Sequence, residues 1–228
     1  MRAHGVICAV SDRSRLAGSP SGADGLVMRL ALAADAGVDL LQVREPDLSS
    51  AELLAIVRRM IEATAETPAR VIVNDRLDVA LAAGAHGVHL RGDSIGTVAA
   101  RRLAPAGFLV GRSAHSADEA ARAADEGADY VVVGTVFETV SKPGRHAAGL
   151  ALLEHAVARC SAPVIAIGGM TATRAGDVAA TGAAGMAAIG MFMGEQGDAA
   201  QVGANLHAMV AGIRRAFEAR ARENRAWP

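Results

Sequence analysis

The chain has 228 residues, 51% of them hydrophobic, and a net charge of −1. That length suits one α/β barrel, for which ~250 residues is typical, and no apolar run approaches the roughly 18 residues that span a bilayer. Near-neutral charge without blocks of one sign excludes nucleic acid and anionic membranes as partners.

The N-terminus, Met1-Arg2-Ala3-His4, enters a strand-like run without a signal-peptide core and cleavage site, so a cytoplasmic protein is expected. The first predicted strand is Gly5–Val10, followed by a loop over Gly18–Gly25. A repeat then organises the chain: Ala34-Asp-Ala-Gly37-Val-Asp-Leu-Leu-Gln-Val, Leu-Ala-Ala-Gly84-Ala-His-Gly-Val-His-Leu, Ala-Asp-Glu-Gly127-Ala-Asp-Tyr-Val-Val-Val, and Ala-Ala-Thr-Gly182-Ala-Ala-Gly-Met-Ala-Ala-Ile. Each reads as a helix end, a glycine suited to the left-handed position that stops a helix, and a short apolar strand. The glycines stand 47, 43 and 55 residues apart, about twice one strand-plus-helix unit, and a second strand fits each interval: Arg70–Asn74, Phe108–Gly111 and Pro163–Ile167. Continuous rather than alternating apolar runs are what parallel strands covered on both faces require. Ser49 with Glu52, and Ser116 with Glu119, have capping-box spacing ahead of helical runs, and the Arg/Glu-rich tail after Ile213 reads as a terminal helix. Eight strands alternating with helices, without linker or low-complexity stretch, predict a single (β/α)8 TIM barrel, α/β in class, over residues 1–228.

In such a barrel chemistry gathers where strands end and βα loops begin. Those positions are Asp12, Arg44 and Glu45, Asn74 and Asp75, Asp93, Ser113 and His115, Thr135 through Lys142, Gly168-Gly169, and Gly190. Gly168-Gly169-Met170-Thr171 and Ile189-Gly190 fall where barrels seat a phosphate on backbone N–H groups. His115 is the general acid/base candidate, because an imidazole titrates near neutrality. His86 and His155 read as structural, while His89 sits inside a strand and faces the interior. Lys142 is the only lysine, in a loop with Gly and Pro, and is a candidate for function on that account. Cys8 and Cys160 lie in apolar surroundings and read as buried thiols of a reducing compartment. No His/Cys/Asp cluster has zinc spacing, and no nucleophile elbow is present.

Several runs together resemble the thiamine phosphate synthase superfamily: Gln42-Val-Arg-Glu45, Val73-Asn-Asp-Arg-Leu-Asp-Val-Ala-Leu81, Gly111-Arg-Ser-Ala-His-Ser116, Gly134-Thr-Val-Phe-Glu-Thr-Val-Ser-Lys-Pro-Gly144, and Pro163-Val-Ile-Ala-Ile-Gly-Gly-Met-Thr171. The resemblance covers nearly the whole chain, in order. It implies one of two activities. A synthase joins a pyrimidine diphosphate to thiazole phosphate using magnesium; a TenI-type thiazole tautomerase is a metal-free isomerase that aromatises a thiazole phosphate carboxylate. Pro46 stands where the synthase pattern has a lysine, and His89-Leu-Arg-Gly-Asp93 is shorter than the synthase segment and lacks its glutamate. Val136-Phe-Glu-Thr139 and Arg112 resemble the tautomerase branch.

The expectation from the resemblance is therefore a cofactor-independent isomerase with no metal, in which His115 moves the proton. Arg44, Asn74, Ser113, Thr139, Ser141 and Lys142 would bind a small phosphorylated thiazole, and Gly168, Gly169, Ile189 and Gly190 its phosphate. Gly190 replaces the serine usual in both branches. A magnesium-dependent synthase and a non-catalytic regulator that binds thiamine intermediates are the alternatives, and a homo-oligomer is compatible with all three.

Overall fold

A computed structural model of the chain describes residues 5–16, 22–139, 147–194 and 197–223. Eight parallel strands close on themselves in chain order, β1 pairing with both β2 and β8. They are β1 Val6–Val10, β2 Leu40–Val43, β3 Arg70–Asn74, β4 Gly87–Leu90, β5 Leu109–Ala114, β6 Tyr130–Val133, β7 Val164–Ile167 and β8 Gly185–Ala188. The helices between them are α1 Gly22–Asp35, α2 Ser50–Ala63, α3 Leu77–Ala83, α4 Thr97–Leu103, α5 Ala117–Asp125, α6 Gly149–Arg159 and α7 Ala175–Ala180, with α8 Gly190–Met193 and α9 Ala199–Glu223 after the last strand. The molecule is the single (β/α)8 barrel expected. Among the described residues no helix is long and apolar enough to cross a membrane.

Strand alternation divides the core in two. Ile7 and Ala9 face the helices, whereas Cys8 and Val10 point inward with Leu40, Ile72, Tyr130, Val132, Ile165 and Ala187. Burial pushes the Cys8 thiol up to about 12, which makes it inert as expected. Cys160 is only half-buried, its thiol donating to the Ala120 carbonyl. Interior glycines make room for the bulkiest inward groups: a Cβ on Gly111 would fall onto the Tyr130 ring. On the outside, Leu53, Ile56, Val57 and Met60 form one buried stripe of α2, the spacing of a helix packed on a sheet. Ser49 caps α2 in a full capping box with Glu52. At α5 the Ser116 hydroxyl accepts the Glu119 N–H, but Glu119 reaches back to the N–H of His115 rather than to that of Ser116.

The repeat has a physical counterpart at the N-terminal face of the barrel. The residue two positions after each of the first three repeat glycines accepts the backbone N–H of the preceding strand. Asp39 takes Ile7 (2.8 Å), the Nδ1 of His86 takes Val71 (3.0 Å) and Asp129 takes Val110 (2.7 Å). Thus β2 is clamped to β1, β4 to β3 and β6 to β5. In the fourth repeat Ala184 has no such side chain. Arg214 of α9 braces the same face, donating to the carbonyls of Gly5 and Gly37 and to Asp39.

Candidate active site at the strand ends

The polar residues predicted at strand ends do gather at the C-terminal mouth, but with unequal duties. Ser11, fully buried after β1, donates to Glu45 Oε1 (2.5 Å) and accepts the Arg44 N–H (2.7 Å). The buried Glu45 carboxylate also accepts the backbone N–H of Arg13 (3.2 Å) and its Nη1 (3.0 Å). Arg13 then forks onto Asp47, so its guanidinium bridges the carboxylates of the residues before and after Pro46. A buried carboxylate persists only with such donors; Glu45 therefore fixes the turn after β1. Arg44 holds neither Glu45 nor Asp75. Arg44 is half-buried and has no ion pair among the described residues.

Inside the rim two hydrogen bonds build a polar floor. Gln42 Nε2 donates to Asn74 Oδ1 (2.9 Å), and His89 Nε2 lies 2.8 Å from Ser113 Oγ. His89 is 2% exposed and stacks on Tyr130 with ring centroids 5.7 Å apart. Burial, with Arg112 nearby, pulls this imidazole down to about 4, so it is neutral at pH 7. Its Nδ1 has no partner among the described residues. A proton there would be a buried unsatisfied donor, so the stable tautomer carries its proton on Nε2 and donates to Ser113. The Ser113 hydroxyl is then free to donate toward the mouth.

β5 runs to Ala114, three residues beyond the expected end at Gly111, which places Ser113 within the strand and His115 just past it. His115 is exposed; its Nδ1–H donates to the Gly134 carbonyl (2.5 Å), leaving Nε2 as the lone pair. Arg112, which resembles the tautomerase branch in sequence, donates to the carbonyls of Ile95 (2.5 Å) and Gly92 (3.0 Å), bracing the loop between β4 and α4. Thr139 is half-buried on the loop after β6; Ser141 and Lys142 lie outside the described residues.

Gly168 and Gly169 follow β7 with φ of 104° and 62°. A Cβ on Gly168 would press to 2.6 Å from Thr135 Cγ2, and one on Gly169 would strike the Glu138 carbonyl and Phe137. The pair thus lets the loop after β6 lie against the loop after β7. Arg174 locks this contact, stacking 4.3 Å over the Phe137 ring and donating to the Gly169 carbonyl. Ile189 is half-buried, and a Cβ on Gly190 would meet only Arg15 Nη1, at 3.8 Å.

Gln42, Tyr130, Arg13, Arg15 and Arg91 are mouth or interior residues to which the sequence assigned no role, although Gln42 and Arg91 lie inside runs compared with the superfamily. Gln42 had a signal, since two positions from inward Leu40 it shares that face. At the β3 and β4 ends, Asp75 adopts φ 63° and its N–H donates to the His89 carbonyl (2.8 Å). Arg91 lies between its carboxylate and that of Asp93.

The family described as thiamine monophosphate synthase matches residues 2–192. A thiamine-phosphate synthase of Methanoculleus marisnigri is 45% identical over 184 residues, 79% of this chain and 85% of that protein. One from Caldanaerobacter subterraneus subsp. tengcongensis is 36% identical over 214 residues, 93% of this chain and 95% of that one. Among solved structures, a thiamine phosphate pyrophosphorylase from Pyrococcus furiosus superposes with a TM-score of 0.76 at 30% identity, covering 92% of this chain and 98% of that one.

Proposed function

The chain belongs to the thiamine monophosphate synthase family, and we propose on that premise that it is a thiamine-phosphate synthase, a transferase joining a pyrimidine diphosphate to a thiazole phosphate. The observation that carries this reading is identity to proteins of that name across most of both chains. It overturns the expected tautomerase, which rested on a few loop residues. One of those positions serves the local fold instead: Arg112 is spent on loop carbonyls.

In the joining step the thiazole nitrogen forms a bond to the pyrimidine's methylene carbon, the carbon–oxygen bond to the diphosphate breaks, and inorganic pyrophosphate leaves with the electron pair. No proton is transferred. His115 therefore needs no shuttle role here; with Nδ1 on the Gly134 carbonyl it positions the start of the loop after β6. The polar floor suits an uncharged heteroaromatic ring, with the Asn74 amide held by Gln42 and the Ser113 hydroxyl aimed by His89. Arg44 is placed to receive phosphate charge, since its guanidinium is not neutralised among the described residues. Gly168, Gly169, Ile189 and Gly190 stay assigned to the thiazole phosphate, with Arg15 at the same strand end.

Magnesium is what the resemblance implies for such a synthase. The residues present do not fit it as placed. Asp75 and Asp93 are the carboxylates at the β3 and β4 ends, and both face the Arg91 guanidinium. Among the described residues no three His, Cys, Asp or Glu side chains gather as a metal site. The function is tested by incubating the purified protein with both substrates and measuring thiamine phosphate and released pyrophosphate, with and without magnesium. Formation of both in equal amounts is expected. Neither product above the protein-free control, in either condition, sinks the proposal.

A further inference from the structure

Asp75 and Asp93 stand at neighbouring strand ends, an arrangement that a small divalent ion uses together with substrate phosphate oxygens. Here a side chain already lies between them. Arg91 Nε is 3.0 Å from Asp93 Oδ1, and its Nη2 is 2.5 Å from Asp93 Oδ2, a two-pronged pair. Its Nη1 is 3.8 Å from Asp75 Oδ2, and its backbone N–H approaches Asp75 Oδ1 at 3.5 Å. The backbone holds this geometry from both sides. Asp75 is fixed in the left-handed conformation by its bond to the His89 carbonyl, and Arg112 grips the carbonyls of Gly92 and Ile95, which flank Asp93.

We propose that Arg91 is the resident cation of this site: it closes the Asp75–Asp93 pair to divalent metal and offers its remaining N–H groups to the diphosphate of the substrate. The identity of the anion rests on the synthase reading above; the closure to metal does not. A guanidinium has five N–H donors and keeps its charge throughout the accessible pH range. Asp93 uses two of the donors, Asp75 stands only at ion-pair distance from a third nitrogen, and the side chain is 55% exposed, so the unused donors have access to a ligand. An exposed pair is individually weak, and pair strength alone would not keep an ion out. Charge opposes the ion: with a guanidinium about 4 Å away, the two carboxylates hold a divalent ion roughly thirtyfold more weakly than they would without the arginine, even at the dielectric constant of water. The mutual pairing of Arg91 and Asp93 also holds the guanidinium charged and the Asp93 carboxyl below its usual range.

Two titrations test the proposal, Mn2+ alone followed by electron paramagnetic resonance and inorganic pyrophosphate by calorimetry, on the wild type, Arg91→Gln and Arg91→Lys. Thermal melts check that the variants fold. The wild type should bind no Mn2+ at submillimolar concentration and should bind pyrophosphate equally, within about twofold, in chelator or in magnesium. Arg91→Gln should lose at least about tenfold in pyrophosphate affinity in chelator, about 1.4 kcal/mol, gain a Mn2+ site, and recover pyrophosphate binding when magnesium is added. Arg91→Lys, which keeps a charge but not the fork, should fall between. A wild type that binds Mn2+ tightly and pyrophosphate only with metal overturns the inference while leaving the synthase reading intact. Absence of thiamine phosphate in the joining assay overturns that reading and leaves the Mn2+ result to decide the closure.

Discussion

Replacing His89 with glutamine should remove an acid sensitivity built into the barrel interior. In the folded chain burial lowers this imidazole from 6.5 to about 4; in the unfolded chain it titrates near 6.5. Between those values the unfolded state binds more protons than the native one, so stability rises with pH across this window. His89 has no cost above pH 6.5 and costs progressively more as pH falls toward 4. Each unit of difference is worth ~1.4 kcal/mol, giving roughly 3 kcal/mol in all, a large share of the ~5–15 kcal/mol typical of a domain. Glutamine keeps an N–H for Ser113 but does not titrate. Urea unfolding of both proteins at intervals from pH 7 to pH 4.5 should show the wild type losing about 2–3 kcal/mol more than His89→Gln. The difference between the two removes contributions from other groups, such as His86, which burial also lowers. Parallel stability curves would refute the claim that His89 is held neutral.

Arg44→Ala should leave the melting temperature unchanged and raise the KM for a phosphorylated substrate about 10–100-fold, the worth of a charged hydrogen bond; an unchanged KM in steady-state kinetics would remove Arg44 from the site. Gly111→Ala drives a Cβ into Tyr130 and should cost about 1–3 kcal/mol, read as a fall in Tm of ~2–4 °C per kcal/mol. Adding Tyr130→Val should restore part of it, and a double variant no better than the single one would contradict this packing relation. Asp129→Ala strips the Val110 N–H of its acceptor and Arg101 of one of its three and should cost about 1–3 kcal/mol with kcat unchanged, because it sits at the face opposite the mouth; a large loss of kcat in a still-folded variant would break that separation.

The architecture was legible in the sequence because it is written in spacing: the glycine that ends a helix and the apolar run after it recur whatever the side chains are. Boundaries were less legible where chemistry interrupts the pattern. β5 seemed to end at Gly111 because Arg112 and Ser113 are polar, yet Ser113 continues the inward face and meets His89. The positions of Arg44, Asn74 and Ser113 followed from the strand ends, but their partners did not, since partners come from neighbouring strands tens of residues away. The pairing of the Glu45 and Asp47 carboxylates was hidden for the same reason, because Arg13 arrives there from the loop after β1. Of Asp39, His86 and Asp129 only His86 read as structural, and nothing local marks a side chain that will cap another strand.

Those three caps have a bearing on how the molecule can change. Each ties an even strand to the odd strand before it by one side chain, at the end of the barrel that faces away from the mouth. The pieces so joined are two-strand, two-helix modules, and the repeat in the sequence has the same length. A segment exchanged between related barrels at these module borders would carry its own fastening with it, whereas a cut inside a module would separate an acceptor from its N–H. The last pair, β7 with β8, lacks the side-chain fastening and is held there by the Ala184–Val164 backbone bond. It is also the pair whose loops are assigned to the phosphate, which makes it the module where replacement from another phosphate-binding barrel would disturb the fewest side-chain ties.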